Sequence, residues 1–295
     1  METQCLIFTA FSLLFHPIGL LINGFIVIVN LNDMRQRRSL KPVDKVLLCL
    51  GFCRFCLQSL LIFETITYHY FFNGSPFNIC YVVYISIQKS LDYCNLWFTA
   101  WLCLIYCVKI ASCKLQIFMF FQLRIPQMVI PAILGSTFVS GFCGCLVAQS
   151  FMGKNSSFSE RSRRTDVDLD IVISAATFGN FLPFIIVTLC SIHLVHTLIR
   201  HIHNLKKISR NVIGLRMEVH LSAIRSVLLY FAVSSLKLIS TIMIWIVPAY
   251  SFWYTVCVLF FMLYPTFHST CILLGNSKLK TAGCKVVTWV RKCAE

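Results

Sequence analysis

Five charged side chains stand inside long apolar runs: Arg54, Glu64, Lys89, Asp92 and Lys237. An ionised group in hydrocarbon is expensive, so each must pair, line a cavity or meet a ligand. Lys89 and Asp92 are three residues apart, one turn along a single helical face. Two readings stay open for them: a local ion pair that never sees a ligand, or two charges lining a polar pathway. Arg54 sits mid-run, where its guanidinium is expected to hydrogen-bond carbonyls and hold helices one, two and seven together. A second cluster, His193, His196, His201 and His203, has spacing compatible with a metal. The ordered carboxylate or cysteine ligands of a metal site do not accompany it, so a contact at an inner surface or a solvated face is the better account. No constellation for catalysis is present, and neither an enzyme nor a cofactor is expected.

These charges must be held by elements that live in lipid. The 295 residues are 58% hydrophobic and 13% charged, with a mean hydropathy of +0.77, outside the balance of a soluble domain. A hydrocarbon core of about 30 Å takes about 20 residues of helix, so seven helices and short loops use the whole chain. Apolar runs bounded by charge or turn residues place helices near 4–31, 46–72, 79–110, 125–149, 171–199, 221–248 and 252–275, followed by a tail, 276–295. The expected fold is a single all-α bundle of seven transmembrane helices over 1–295, without strand-like alternation or internal repeats. Asn73-Gly74-Ser75-Pro76 marks a tight turn between helices two and three. Prolines 17, 126, 131, 183 and 265 fall inside spans, where they predict kinks and not breaks. Beyond Asn276, Leu279, Ala282, Val286 and Val290 recur three or four apart with basic residues between them, the pattern of a short amphipathic helix on a membrane surface.

The net charge of +15 is explained by orientation and anionic inner-leaflet lipid, not by nucleic acid. Lys and Arg near span ends number nineteen on one side, beginning with Arg35, Arg37, Arg38, Lys41 and Lys45, against four (Lys154, Arg161, Arg163, Arg164) on the other. The rule that basic residues stay cytoplasmic then sets the N-terminus outside. The first apolar stretch, Cys5 to Val29, is longer than a signal-peptide core and reads as a retained signal anchor. Most of the sixteen cysteines lie in apolar runs and are expected as free thiols. The loop from Gln149 to Asp170 has no cysteine with which to pin itself to helix three, leaving Cys80 without an obvious partner.

Helix seven carries Tyr264-Pro265-Thr266-Phe267-His268-Ser269, then Ile272-Leu273-Leu274 and Asn276-Ser277-Lys278-Leu279-Lys280. Helix three ends Leu104-Ile105-Tyr106-Cys107-Val108-Lys109-Ile110-Ala111, with no Asp-Arg-Tyr triplet. Both segments resemble the bitter taste receptor (type 2 taste receptor) family of G-protein-coupled receptors, whose third helix carries Phe-Tyr-x-x-Lys-Ile-Ala. Further matches are Asn23 through Asn30, Leu50-Gly51-Phe52-Cys53-Arg54 with Leu57-Gln58, Pro183-Phe184, His201, and His220 with Leu228-Leu229-Tyr230. Cys53 and Gly51 depart from the serine and alanine common in the family.

The resemblance implies a multi-pass receptor of the plasma membrane that binds small bitter agonists in the outer half of the bundle and activates a gustducin-like heterotrimeric G protein. It implies a pocket faced by Glu64, Thr65, Gln88, Lys89, Asp92, Tyr93, Val233, Lys237 and Val258, with Trp97 at its floor. Asp92 and Glu64 then offer counter-charges to a cationic amine. It implies coupling through Arg54, which holds the inactive bundle, and through Tyr106, Lys109, His201, His220 and His268. Asn155-Ser156-Ser157 matches the family's glycosylation sequon, and glycan is expected at Asn155 and not at Asn73. Cys284 and Cys293 in the basic tail are expected as free thiols, with palmitoylation the other state open to them. The nearest rival is a vomeronasal type 1 receptor, against which the helix-seven motif argues. A transporter would show repeat symmetry and paired helix breaks, and neither is visible.

Overall fold

The computed structural model describes residues 2–37, 39–72, 79–110, 116–152, 174–175, 177–208, 213–248 and 251–294. Among them there is no strand. The helices are α1 (Glu2–Arg37), α2 (Pro42–Phe72), α3 (Ile79–Ile110), α4 (Gln116–Met152), α5 (Leu182–Ile208), α6 (Ile213–Ile246), α7 (Phe252–Gly275) and α8 (Ser277–Ala294). The first seven each contain a stretch long and apolar enough to cross a bilayer. α1 and α4 overrun the apolar segments read from the sequence, because a helix keeps its own hydrogen bonds as it passes into the polar interface and need not stop where hydropathy does.

α3 is the central element, packed against α2, α4 and α5, while α1 lies on α2 and α7 and α6 lies between α5 and α7. The apolar core runs along α1, α2 and α3 through Ile26, Val46, Leu47, Leu50, Phe98, Leu102 and Ile105, and takes in Ile272 and Leu279. α3 and α4 approach closely at Gly144: a Cβ there would lie 2.7 Å from the Ser86 carbonyl oxygen, so only glycine lets the two backbones meet. Trp101 Nε1 donates to Ser136 Oγ across the same interface at 2.8 Å.

The prolines do not end their helices, as α1 continues through Pro17, α4 through Pro126 and Pro131, and α7 through Pro265. Pro183 acts differently. Its missing N–H leaves the Gly179 carbonyl without the usual donor, and the chain there forms one widened π turn, Thr177–Phe181, leading into α5. Asn276 both ends α7, its N–H bonding to the Ile272 carbonyl, and starts α8, its Oδ1 accepting from the Lys278 and Leu279 amides. α8 buries Leu279 and leaves Val286 and Val287 exposed, so its apolar stripe is shared between bundle and lipid surface. The fourteen cysteines whose side chains are described are all free, including the exposed Cys80, Cys284 and Cys293.

Candidate functional site

Toward the N-terminal end of α1, the bundle holds four of the five intramembrane charges. Lys237 Nζ on α6 donates to Asp92 Oδ1 on α3 at 2.6 Å, and the two side chains are only 2% and 10% exposed. Asp92 is therefore partnered across the bundle and not by Lys89, the neighbour that sequence spacing offered. α3 and α6 each pack mainly on other helices, so this bond spans the middle of the bundle. The Lys237 ammonium also lies 5.1 Å from the Tyr264 ring centroid and 5.5 Å from that of Phe261, within cation–π range. Lys89 sits over the same Phe261 ring at 5.6 Å.

Glu64 accepts from Tyr84 Oη at 2.7 Å and from Gln88 Nε2 at 3.2 Å. Both acids expected to await an amine thus already have donors, Asp92 from Lys237 and Glu64 from Tyr84 and Gln88. The Thr65 hydroxyl meets Ser12 on α1 at 2.6 Å and donates to the Leu61 carbonyl at 2.8 Å. Tyr93 is buried with Cys143, Val147 and Ala175, and its ring fills the space beside Gly179 of the π turn. It belongs to the wall between α3, α4 and the start of α5. Val233 lies one turn from Lys237 along α6 and Val258 one turn from Phe261 along α7, both half-buried. The Trp97 indole N–H is buried without a hydrogen-bond partner among the described residues.

Below this layer lies a polar core built on Arg54, which is fully buried. Nε donates to Asn95 Oδ1 at 2.6 Å, one terminal nitrogen to Ser269 Oγ at 2.9 Å, and the other reaches Thr99 Oγ1 at 3.4 Å and His268 Nδ1 at 3.0 Å. The expected backbone carbonyls are replaced by side chains of α3 and α7, because a guanidinium's forked donors match several fixed acceptors at once. Helix one joins indirectly: Ser269 donates to Asn23, Asn23 to Gln58, and Gln58 to Thr266. Arg54 has no carboxylate partner among the described residues. Its charge is met by neutral dipoles and by the Tyr264 ring, 6.0 Å away. Tyr264 thus touches both cationic layers, and it also packs on His268 at 5.5 Å between ring centroids. His268 stacks on Tyr230 at 5.3 Å.

At the α8 end, Lys278 Nζ bonds to Asp33 at 2.6 Å, Asn30 at 2.8 Å and Asp44 at 3.4 Å. The sequence presents Lys278 as one of several surface tail cations, whereas the fold turns it inward to clamp α8 against α1 and α2. Tyr106 packs on the core beneath, and Lys109 is exposed in the last turn of α3, where a cation complements the helix dipole. His201 and His220 lie on α5 and α6, with side chains outside the described set, and Asn155 lies outside the described residues altogether. The residues that sequence reasoning did not place in the site are Tyr84, Asn95, Thr99, Phe261 and Ser269. Phe261, Tyr264 and His268 recur at i, i+3 and i+7 on α7, which was the available signal for the aromatic face.

Seven apolar helices around buried charges, capped by a short amphipathic helix, define a multi-pass membrane receptor bundle. The family described as "Taste receptor protein (TAS2R)" matches residues 1–291. Taste receptor type 2 member 2 of Homo sapiens is 25% identical over 289 residues, covering 93% of each chain. Member 102 of Mus musculus is 27% identical over 274 residues, covering 89% of this chain and 81% of its own. Member 119 of Rattus norvegicus is 28% identical over 298 residues, covering 95% and 84%. The chain belongs to the taste receptor (TAS2R) family, a family of plasma-membrane receptors and not of enzymes. The match decides against the vomeronasal alternative.

Proposed function

We propose that this receptor binds small bitter compounds in the half of the bundle that holds Asp92 and Lys237, with the N-terminus outside, and activates a gustducin-type heterotrimeric G protein. One observation carries the reading: the Asp92–Lys237 bond joins α3 to α6, and its cation rests on Tyr264, whose ring also neighbours Arg54 and His268. A ligand that competes for either partner, or that places charge beside them, alters the α3–α6 link and, through Tyr264, the polar core. Binding can drive signalling only by favouring one arrangement over another, and a bond between two helices gives ligand and bundle that difference to act on. Rearrangement of α3, α5, α6 and α7 would open a basic inner surface near Tyr106, Lys109, His201, His220 and His268 to the G protein.

Nucleotide exchange on a purified gustducin-type G protein, with the full-length receptor in lipid nanodiscs and a panel of bitter compounds, tests the coupling. Ligand-dependent exchange is expected; ligand binding without exchange on any G protein would overturn it. Orientation has its own check. Glycosidase treatment of receptor from cells is expected to raise gel mobility, and Asn155→Gln to abolish that shift; a shift that survives in Asn155→Gln would place the glycan elsewhere.

A further inference from the structure

Of the five intramembrane charges, Lys89 alone has neither an ion pair nor a hydrogen bond from its charged group among the described residues. Arg54 has four polar partners, Asp92 and Lys237 have each other, and Glu64 takes two donors on Oε2. The Lys89 ammonium carries three N–H donors, yet its recorded neighbour is the face of Phe261 at 5.6 Å. That face is shared with Lys237 at 5.5 Å, so two ammonium groups flank one ring, and Asp92 neutralises only the second. Glu64 on α2 is near enough to attract the Lys89 ammonium, but its hydrogen bonds go to Tyr84 and Gln88.

We infer that the ligands of this site are acidic aromatic molecules whose carboxylate or sulfonate binds Lys89 while the ring packs beside Phe261; the inference rests on the reading of this half of the bundle as the agonist site. An oxyanion there completes the donors of Lys89 and offsets the repulsion between two cations. It does so without breaking a bond already made, since Lys237 keeps Asp92. An amine of the same skeleton brings a third cation to the ring and finds both nearby acids already hydrogen-bonded. Lys89 and Phe261 are half-buried between the helices, where charge complementarity and mismatch are felt more strongly than in open water.

The test uses full-length receptor in nanodiscs and three matched probe sets: aryl carboxylates and arylsulfonates, their methyl esters, and arylmethylamines of the same rings. Ligand-induced thermal stabilisation and G-protein nucleotide exchange are both read. The acids are expected to stabilise the receptor at concentrations at least tenfold below the esters, with Lys89→Met losing that advantage and Lys89→Arg keeping it. Equal stabilisation by acids and esters, an advantage that survives Lys89→Met, or no stabilisation by any acid overturns the inference. Preference for amines that is lost in Glu64→Gln does so too and moves recognition to Glu64. Stabilisation by acids without nucleotide exchange leaves Lys89 as their site and sinks the coupling reading; exchange driven by esters or amines alone does the reverse.

Discussion

Lys237→Met is expected to cost the receptor about 3–5 kcal/mol of stability, because it leaves Asp92 as a buried charge with its partner gone. Membrane receptors with typical margins of about 5–15 kcal/mol do not absorb such a loss quietly, so a large drop in thermal midpoint and in surface level should follow. The double change Asp92→Asn with Lys237→Met removes both charges and should recover most of that loss, since a buried pair and a neutral replacement of similar volume are often close in stability. Function should not recover with it. Without the bond between α3 and α6, basal nucleotide exchange is expected to rise and the ligand-driven increment to shrink. A double-mutant cycle on thermal midpoint and on exchange measures both. If the double variant is no more stable than Lys237→Met alone, the pair is not coupled and the proposed link between α3 and α6 is wrong.

The cycle also shows why Asp92→Ala alone is a poor reporter of ligand contact. It strands the Lys237 ammonium, 2% exposed, in surroundings without water, and lost responses would follow whether or not a ligand ever touched Asp92.

The spans were legible because lipid imposes a one-dimensional rule: about 20 apolar residues per crossing and charges near the ends. Partners were not, because a pairing such as Lys237–Asp92 joins residues 145 positions apart, and hydropathy carries no information on which helices adjoin. Spacing favoured Lys89 for Asp92, since the only neighbours visible in a sequence are those on one helix face. The partners of Lys278 were hidden for a related reason: its stretch reads as tail, and only the turn at Asn276 aims it at Asp33 and Asp44. The Thr65 hydroxyl, expected at the pocket by resemblance, bonds to Ser12 on α1, a partner that no sequence spacing shows. The rotational phase of a helix that is apolar nearly all round cannot be set from its pattern. The motif on α7 fared better, because Tyr264, Thr266, His268 and Ser269 are all buried, and buried polar groups at fixed spacing mark a network even before its members are known.

Arg54→Ala should abolish signalling while leaving ligand affinity within a fewfold of wild type. The guanidinium supplies donors to Asn95, Ser269, Thr99 and His268, so its removal strands four buried acceptors on α3 and α7 and opens a cavity at the bundle centre. Each charge-assisted bond contributes about 1.5–3 kcal/mol, and a stranded polar group costs about 1–3. The summed loss should exceed the roughly 4–5 kcal/mol that marks an exceptional substitution. Arg54→Lys should rescue little, since one ammonium point cannot span acceptors arranged for a fork. Ligand contacts should survive because the proposed agonist layer is separated from Arg54 by the Tyr264 ring, which lies 6.0 Å from the guanidinium and 5.1 Å from the Lys237 ammonium. Ligand-induced stabilisation and nucleotide exchange, measured on the same nanodisc preparation at equal receptor amount, separate the two effects. A normal dose–response in Arg54→Ala would show that the polar core is packing alone, and the route from Asp92–Lys237 through Tyr264 would then have to be abandoned.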